Sequence, residues 1–413
     1  MTAAPVRPST GPRTGLAITG GTPVRTAPMP GWPHFEVEDA ATVSEILLSG
    51  RVNYWTGEQG RAFEAEFARW AGARHAVAMA NGTVALEIAL RAIGVGPGTE
   101  VVVPAATFIA TASAVVACGG VPVVVDVDPD SQALTPATVE PALTRRTRAV
   151  VAVHVGGYPA DTAALARLTA DRGIDLVEDC AQAHGARRAG LPVGTHARIA
   201  AWSFCQDKIM STAGEGGAVT TSDDDLARRC WSLKDHGKDH AAVHGPAAAP
   251  GFRWLHTTFG TNARMTEIQA AVGRRQLHLL AGWVARRREH ACVLRDALGG
   301  LPALRLPRVP DDAEHAYYRF YAHVRPAALG PGWDRDRVVA AIVAEGVPCA
   351  FGGCTEIYRE RAFDRTGRPA GRLPVARELG ETSLVLPVHP TLSADDVGDL
   401  AAATRKVLAE ATA

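Results

Sequence analysis

The sequence predicts an α/β fold, with a large domain on a mostly parallel seven-stranded sheet and a smaller α+β domain after it. Three observations carry this reading. Seven short apolar runs, rich in Val, Ile and Ala, recur between residues 75 and 222. Most are continuously apolar, the pattern of strands covered on both faces. Helical stretches separate them, as parallel pairing requires. Beyond about residue 281 the pattern changes to an alternating strand followed by helices.

Residues 1–30, rich in Pro, Gly and Thr, predict a flexible N-terminal arm. The large domain is expected over 31–281. In 62–71, Phe63, Phe67 and Trp70 fall at helical spacing and are read as core. "HAVAMANGT" is a strand, a turn at Asn81-Gly82 and a helix start. "EVVVPAATF", "GGVPVVVDVDPD", "TRAVVAVHVGG" and "GIDLVEDCAQAHG" are strands, with "IATASAVVACGG" and "DTAALARLTADRG" as intervening helices. "IAAWSF" and "GGAVTTS" add two strands around a glycine-rich turn, and a long helix runs over 266–295. The small domain, 282–413, has an alternating strand at "AYYRFYAHV", a helix at "DRVVAAIVAEG" and a strand at "TSLVLPVHP". Its terminal helix is capped by Ser393, with Asp395 and Asp396 in the first turn.

Composition removes several function classes. Lys+Arg and Asp+Glu both number 43, so no basic excess points to nucleic acid. At 47% hydrophobic the chain is neither disordered nor short of a core. The seven cysteines are widely spaced and without a CxxC, which favours a reducing cytoplasm over a disulfide framework. No histidine stands at zinc spacing from Cys349 and Cys354, so no metal is expected. The N-terminus has no apolar stretch of a signal peptide, and no run of about 18 apolar residues would span a membrane.

Ligands of an open parallel sheet sit beyond the carboxyl ends of its strands. Three strand ends here carry suggestive groups. Asn81-Gly82-Thr83 opens a helix, whose free N–H groups suit a phosphate, although most such turns are simple caps. Asp179 ends "IDLVED", with Gln182 one turn on, and reads as a metal ligand, a general base, a partner for a ring nitrogen or a cap. Lys208 precedes Gly214, Gly216 and Gly217, and a lysine held among apolar residues and a tight turn can form a Schiff base. A phosphate site, an acid and an interior lysine together fit pyridoxal 5'-phosphate (PLP). His154, His184 and His236 read as core or loop residues. Tyr317, Tyr318 and Tyr321 read mainly as strand core, and His389 as a minor candidate for the cleft.

Asp179-x-x-Gln182, Ser203-x-x-x-x-Lys208, Gly214-Glu215-Gly216-Gly217 and "TNARMTEIQAAVG" together resemble the DegT/DnrJ/EryC1/StrS family of PLP-dependent sugar and aminocyclitol aminotransferases. The resemblance runs from about Thr22 to the end and implies the type I aminotransferase fold. It implies that Lys208 joins the cofactor and that Asp179 pairs with its ring nitrogen. Phe108 would stack on the ring, and Gln182 would lie near the cofactor hydroxyl. Gly82, Thr83 and Ser203 would bind phosphate. Asn262 would reach the phosphate of the neighbouring subunit in a homodimer with shared active sites, with Arg264 supporting its loop. The small-molecule partners implied are an amino donor, glutamate or glutamine, and a keto-sugar or keto-cyclitol acceptor, without nucleic acid or membrane. Sugar 3-dehydratases of the family carry histidine where Lys208 stands, so transamination is favoured. An aromatising lyase of the aminohydroxybenzoate synthase kind shares the lysine, and a regulatory PLP-binding role is the reading from another class. The chain departs from commoner sugar enzymes at Asn53-Tyr54-Trp55 and at Gln206-Asp207, both near the substrate side. Tyr54, Trp55 and Tyr317 are the candidate substrate contacts.

Overall fold

The computed structural model of the chain describes residues 14–245 and 253–412. The seven apolar runs form one sheet. In spatial order its strands are His75–Met79, Gly217–Thr221, Ile199–Ser203, Asp175–Asp179, Thr147–Val153, Glu100–Pro104 and Val121–Val125. The five from Ile199–Ser203 to Val121–Val125 are parallel, and Gly217–Thr221 runs antiparallel to both of its neighbours. Glu100–Pro104 is buried at every position, as continuous apolar runs demand. The helices Gly82–Ala92, Ala110–Ala117 and Thr162–Ala170 make the crossovers that parallel strands need. In the register Val153 lies beside Asp179, and Asp179 beside Ala201. The carboxyl ends of three central strands therefore stop together, and the site forms on that edge.

The long helix is Glu267–Leu298, started by a capping box in which Thr266 and Gln269 satisfy each other's backbone N–H groups. It is continuous through residue 281, the expected boundary. Leu280 and Val284 pack with Phe63, Trp202 and Phe204 on the sheet side, whereas Ala291, Leu294 and Leu298 pack into the second core. The change of partners falls between Val284 and Ala291, a little beyond the expected position. That second core lies on an antiparallel sheet of Leu304–Arg305, Phe320–Val324 and Ser383–Leu386, covered by Arg335–Ala344 and Ala394–Ala411. Ser393 and Asp396 form the capping box of the last helix.

Two expectations are corrected. The arm over 1–30 is packed from residue 14 on, and residues 1–13 lie outside the described residues. Leu16 is buried in the second core. The Ala17 and Val24 N–H groups donate to the Glu345 carboxylate at 2.8 and 3.1 Å, and Arg25 pairs with Asp396 and Asp399. A Pro- and Gly-rich composition argues against regular structure, not against tertiary partners. The strand at "AYYRFYAHV" begins only at Phe320, because Tyr317 sits at φ +50° and breaks the alternation. No helix of the described residues is long and apolar enough to cross a membrane.

Candidate active site

A cavity of about 1200 Å³ opens beyond the carboxyl ends of the central strands. It collects the residues of all three suggestive strand ends: Gly82 and Thr83, Asp179 and Gln182, Ser203 and Lys208.

At one end Asn81 caps the helix Gly82–Ala92, its side-chain oxygen accepting the Val84 N–H at 2.9 Å. The helix start is packed tightly against its neighbours. A Cβ on Gly82 would lie 2.5 Å from the Ser203 Cβ, and one on Gly217 would lie 2.4 Å from the Asn81 carbonyl oxygen. Only glycines let Ser203 come up beside the helix N-terminus, where donors and the helix dipole favour an anion. Gly82→Ala is therefore expected to destabilise the chain by about 1–3 kcal/mol through overpacking. It should also weaken PLP retention, read by thermal unfolding with and without added PLP. A variant equal to wild type in both would show that the helix start yields without loss.

Deeper in the cavity, Asp179 accepts from the Thr111 hydroxyl and from the Ala181 N–H, each at 3.1 Å. The Thr107 hydroxyl bonds that of Thr111 at 2.8 Å and holds it in place. Burial pushes the Asp179 carboxyl above its ordinary value, against the pull of the Ala181 N–H, Thr111 and the Lys208 charge. No helix starts at Asp179, so it is not a helix cap. Gln182 accepts the Gly156 N–H at 2.7 Å, which leaves its amide NH₂ as the donor. Phe108 is 66% exposed and lines the cavity, offering an open ring face.

Lys208 rides on the turn between the strands Ile199–Ser203 and Gly217–Thr221. Phe204 and Gln206 donate to the Gly216 and Gly214 carbonyls at 2.8 and 2.9 Å and close that turn. The Trp32 indole N–H donates to the Lys208 carbonyl at 2.8 Å. The side chain is 16% exposed, and its amine stands 3.5 Å from Asp207. Behind Asp179, the buried His154, Glu178 and Cys180 come close enough to suggest a metal cluster. Glu178 accepts from His154 and from the Gly194, His196 and Ala197 N–H groups, and His154 Nδ1 accepts the Ala160 N–H. Burial pushes Glu178 up, but the His154 ring and those N–H groups outweigh it and hold the carboxyl below its ordinary value. This group is a brace for the strand end that carries Asp179.

The donor set fits PLP. A buried carboxylate that forms no ion pair among the described residues suits a protonated ring nitrogen, a glycine-walled helix start suits a phosphate, and a lysine amine faces the same space.

Other candidates lie elsewhere. Tyr54 is buried, donating to Glu64 at 3.0 Å with the Lys234 ammonium 4.0 Å from its ring centre. Trp55 packs edge-on against Tyr54 and Trp231. Neither lines the cavity of its own chain. Tyr317 stacks on His315 at 3.9 Å and lines a smaller neighbouring pocket, while Tyr318 and Tyr321 line the main cavity. The positive φ at Tyr317 turns that residue out of the series. Asn262 is exposed, forms a backbone bridge with Asp235 and also stands outside its own chain's cavity; Arg264 pairs with the same Asp235 at 2.8 Å. Trp32, Thr111 and Arg319 were not singled out in the sequence, and His389, a minor candidate there, lines the cavity. Nothing local marks Trp32, which follows just after the Pro-rich arm.

Comparison with known proteins agrees with the fold. Residues 33–405 match the model of the DegT/DnrJ/EryC1/StrS aminotransferase family. The chain is 37% identical over 361 residues to dTDP-3-amino-3,4,6-trideoxy-alpha-D-glucose transaminase of Streptomyces venezuelae, covering 87% of this chain and 89% of that one. It is 36% identical over 422 residues to L-glutamine:scyllo-inosose aminotransferase of Streptomyces griseus, covering 95% and 97%. The solved structure of an aminotransferase from Psychrobacter cryohalolentis superposes with a TM-score of 0.92 at 47% identity, covering 94% of this chain and all of that one.

Proposed function

The chain belongs to the DegT/DnrJ/EryC1/StrS aminotransferase family, and on that premise we propose that it moves an amino group from glutamate or glutamine to a keto sugar or keto-cyclitol. It is a PLP-dependent aminotransferase of fold type I. The setting is the cytoplasmic biosynthesis of an amino sugar, an antibiotic or a surface polysaccharide. The observation that carries the reading is one cavity that gathers Lys208, Asp179 and the Gly82-Thr83-Ser203 helix start.

Bound PLP supplies an electron sink for the charge left when the substrate carbon loses its proton. Asp179, aimed by Thr111 and Ala181, keeps a proton on the ring nitrogen. Gly82, Thr83 and Ser203 hold the phosphate, Phe108 covers a ring face, and Gln182 offers its amide donors to the ring hydroxyl. Lys208 takes the proton from the α-carbon of the donor and returns one to the carbonyl carbon of the acceptor in the second half. A panel of ketones tests the assignment: the purified enzyme with glutamate or glutamine should aminate keto sugars or keto-cyclitols, identified by mass. Amination of none of them, with the donor half-reaction intact, would reject the acceptor class.

The active unit in this reading is a homodimer in which Asn262 reaches the phosphate of the neighbouring chain. Its exposure supports this, as does Phe259 on the same loop, 93% exposed. Co-expressed, separately tagged Lys208→Ala and Asn262→Ala chains test it. A mixed dimer then has one site with both lesions and one with neither, so activity should return to about one wild-type site per dimer, as two-fold symmetry requires. Activity no higher than that of the Asn262→Ala homodimer would reject the shared site.

A further inference from the structure

Asp207 stands directly before the cofactor lysine in the chain, and the fold gives it two partners. One carboxylate oxygen lies 3.5 Å from the Lys208 amine. The other accepts a hydrogen bond from the Tyr318 hydroxyl, 111 residues further along. The Lys208 amine also stands over the Tyr318 ring, 5.1 Å from its centre. Acid, phenol and amine close a triangle at the cavity wall.

The triangle is braced from behind. Arg287, fully buried on the long helix, donates to the Tyr317 and Tyr318 carbonyls at 3.4 and 3.3 Å. Its guanidinium also lies 5.0 Å from the ring centre of Trp32, whose indole holds the Lys208 carbonyl. One buried cation thus supports both the segment that holds the lysine's main chain and the one that reaches its side chain. Burial pushes the Asp207 carboxyl up, but the Lys208 ammonium, the Tyr318 hydroxyl and Arg319 hold it below its ordinary value, so it is ionised. Burial and the Asp207 charge push the Tyr318 phenol up, so it stays a donor.

We propose that Asp207 is a positioning residue for Lys208: its carboxylate, aimed by the Tyr318 hydroxyl, favours a proton on the lysine nitrogen and holds the amine beside the cavity. This rests on the reading of Lys208 as the residue that joins PLP. With PLP bound, a proton on the lysine nitrogen would make the joined carbon the easier for the donor's amine to attack. After release, Asp207 keeps the free lysine amine, the form that can take a proton, within reach of the substrate carbon.

Other charged groups face the cluster. Asp179 and Glu215 have the sign of Asp207, and Arg319 and Arg287 the opposite sign. Burial holds His184 at about 3 and His389 at about 4, both neutral near pH 7. It pushes Tyr321 and the Cys205 thiol above their ordinary values. All remain in a variant of Asp207 alone, so the change isolates its charge.

The test is a pH titration of the visible absorption of the PLP-loaded enzyme, with folding checked by near-ultraviolet circular dichroism. In Asp207→Asn the titration midpoint should fall by about one pH unit or more, a tenfold change in the protonation equilibrium. Asp207→Glu should recover at least half of that shift. Tyr318→Phe, which keeps the ring and removes the aiming bond, should shift the midpoint the same way by less. It also stands in for Asp207→Asn if that variant does not fold. An unmoved midpoint in a folded Asp207→Asn, or in Tyr318→Phe where only that variant folds, overturns the proposal while the reading of the site stands. A wild-type enzyme with no lysine-dependent visible band overturns both.

Discussion

Lys208→Ala is expected to abolish turnover and the visible absorption of lysine-bound PLP while leaving the chain folded. On the proposed reading the two losses have one origin, since the same amine would join the cofactor and move the proton. A positioned base alone supplies roughly 10²–10⁴-fold, and loss of the covalent link adds to that. The fold should survive because the bonds that hold this turn are main-chain bonds. The Trp32 indole reaches the Lys208 carbonyl, and the Lys208 N–H donates to the Cys205 carbonyl at 3.0 Å. An alanine keeps both. Turnover and visible spectra of the purified variant, with its unfolding midpoint, check this. Normal turnover would reject the PLP assignment at Lys208.

Asp179→Asn should leave the cavity's shape and remove a buried charge from its lining. Loss of a strong electrostatic partner at a reacting centre costs about 3 kcal/mol, or roughly 10²-fold in rate. A variant within about threefold of wild type would show that Asp179 does not act on the ring nitrogen, since a threefold change is under 1 kcal/mol. The stability of the PLP-free chain should move the other way. Burial raises the folded carboxyl above its unfolded value, so the folded state binds this proton more tightly. The stability penalty is then absent below the unfolded value of about 3.9 and grows as the pH rises above it. Asn has no such proton, so PLP-free Asp179→Asn should unfold no lower than wild type at pH 7. Its advantage should shrink as the pH falls toward about 4. Thermal unfolding of the PLP-free chains at several pH values decides it. An advantage that grows on acidification would show that Asp179 is stabilised as the anion.

The strands and helices were legible where the signal is local. Continuous Val-rich runs report burial on both faces, and Ser393 with Asp396 or Thr266 with Gln269 report a helix start within four residues. The strand-end positions of Gly82-Thr83, Asp179 and Lys208 were legible for the same reason, since each follows an apolar run whose direction the crossover helices dictate. The substrate-side candidates were less so. A regular alternation would put Tyr317 and Tyr321 on one face, but the positive φ at Tyr317 leaves Tyr318 and Tyr321 on the main cavity.

What the sequence determined by itself was therefore the α/β class, the seven strands and the chemical groups at their carboxyl ends. Each depends on side chains spaced two to four positions apart, whose burial follows from periodicity alone. Only the tertiary structure decided that residues near 20 lie against the second core, that Trp32 holds the Lys208 main chain, and that Tyr318 aims Asp207. Those contacts join segments more than 100 residues apart. Their geometry is set by how the long helix and its buried Arg287 pack against both, and no local spacing encodes that.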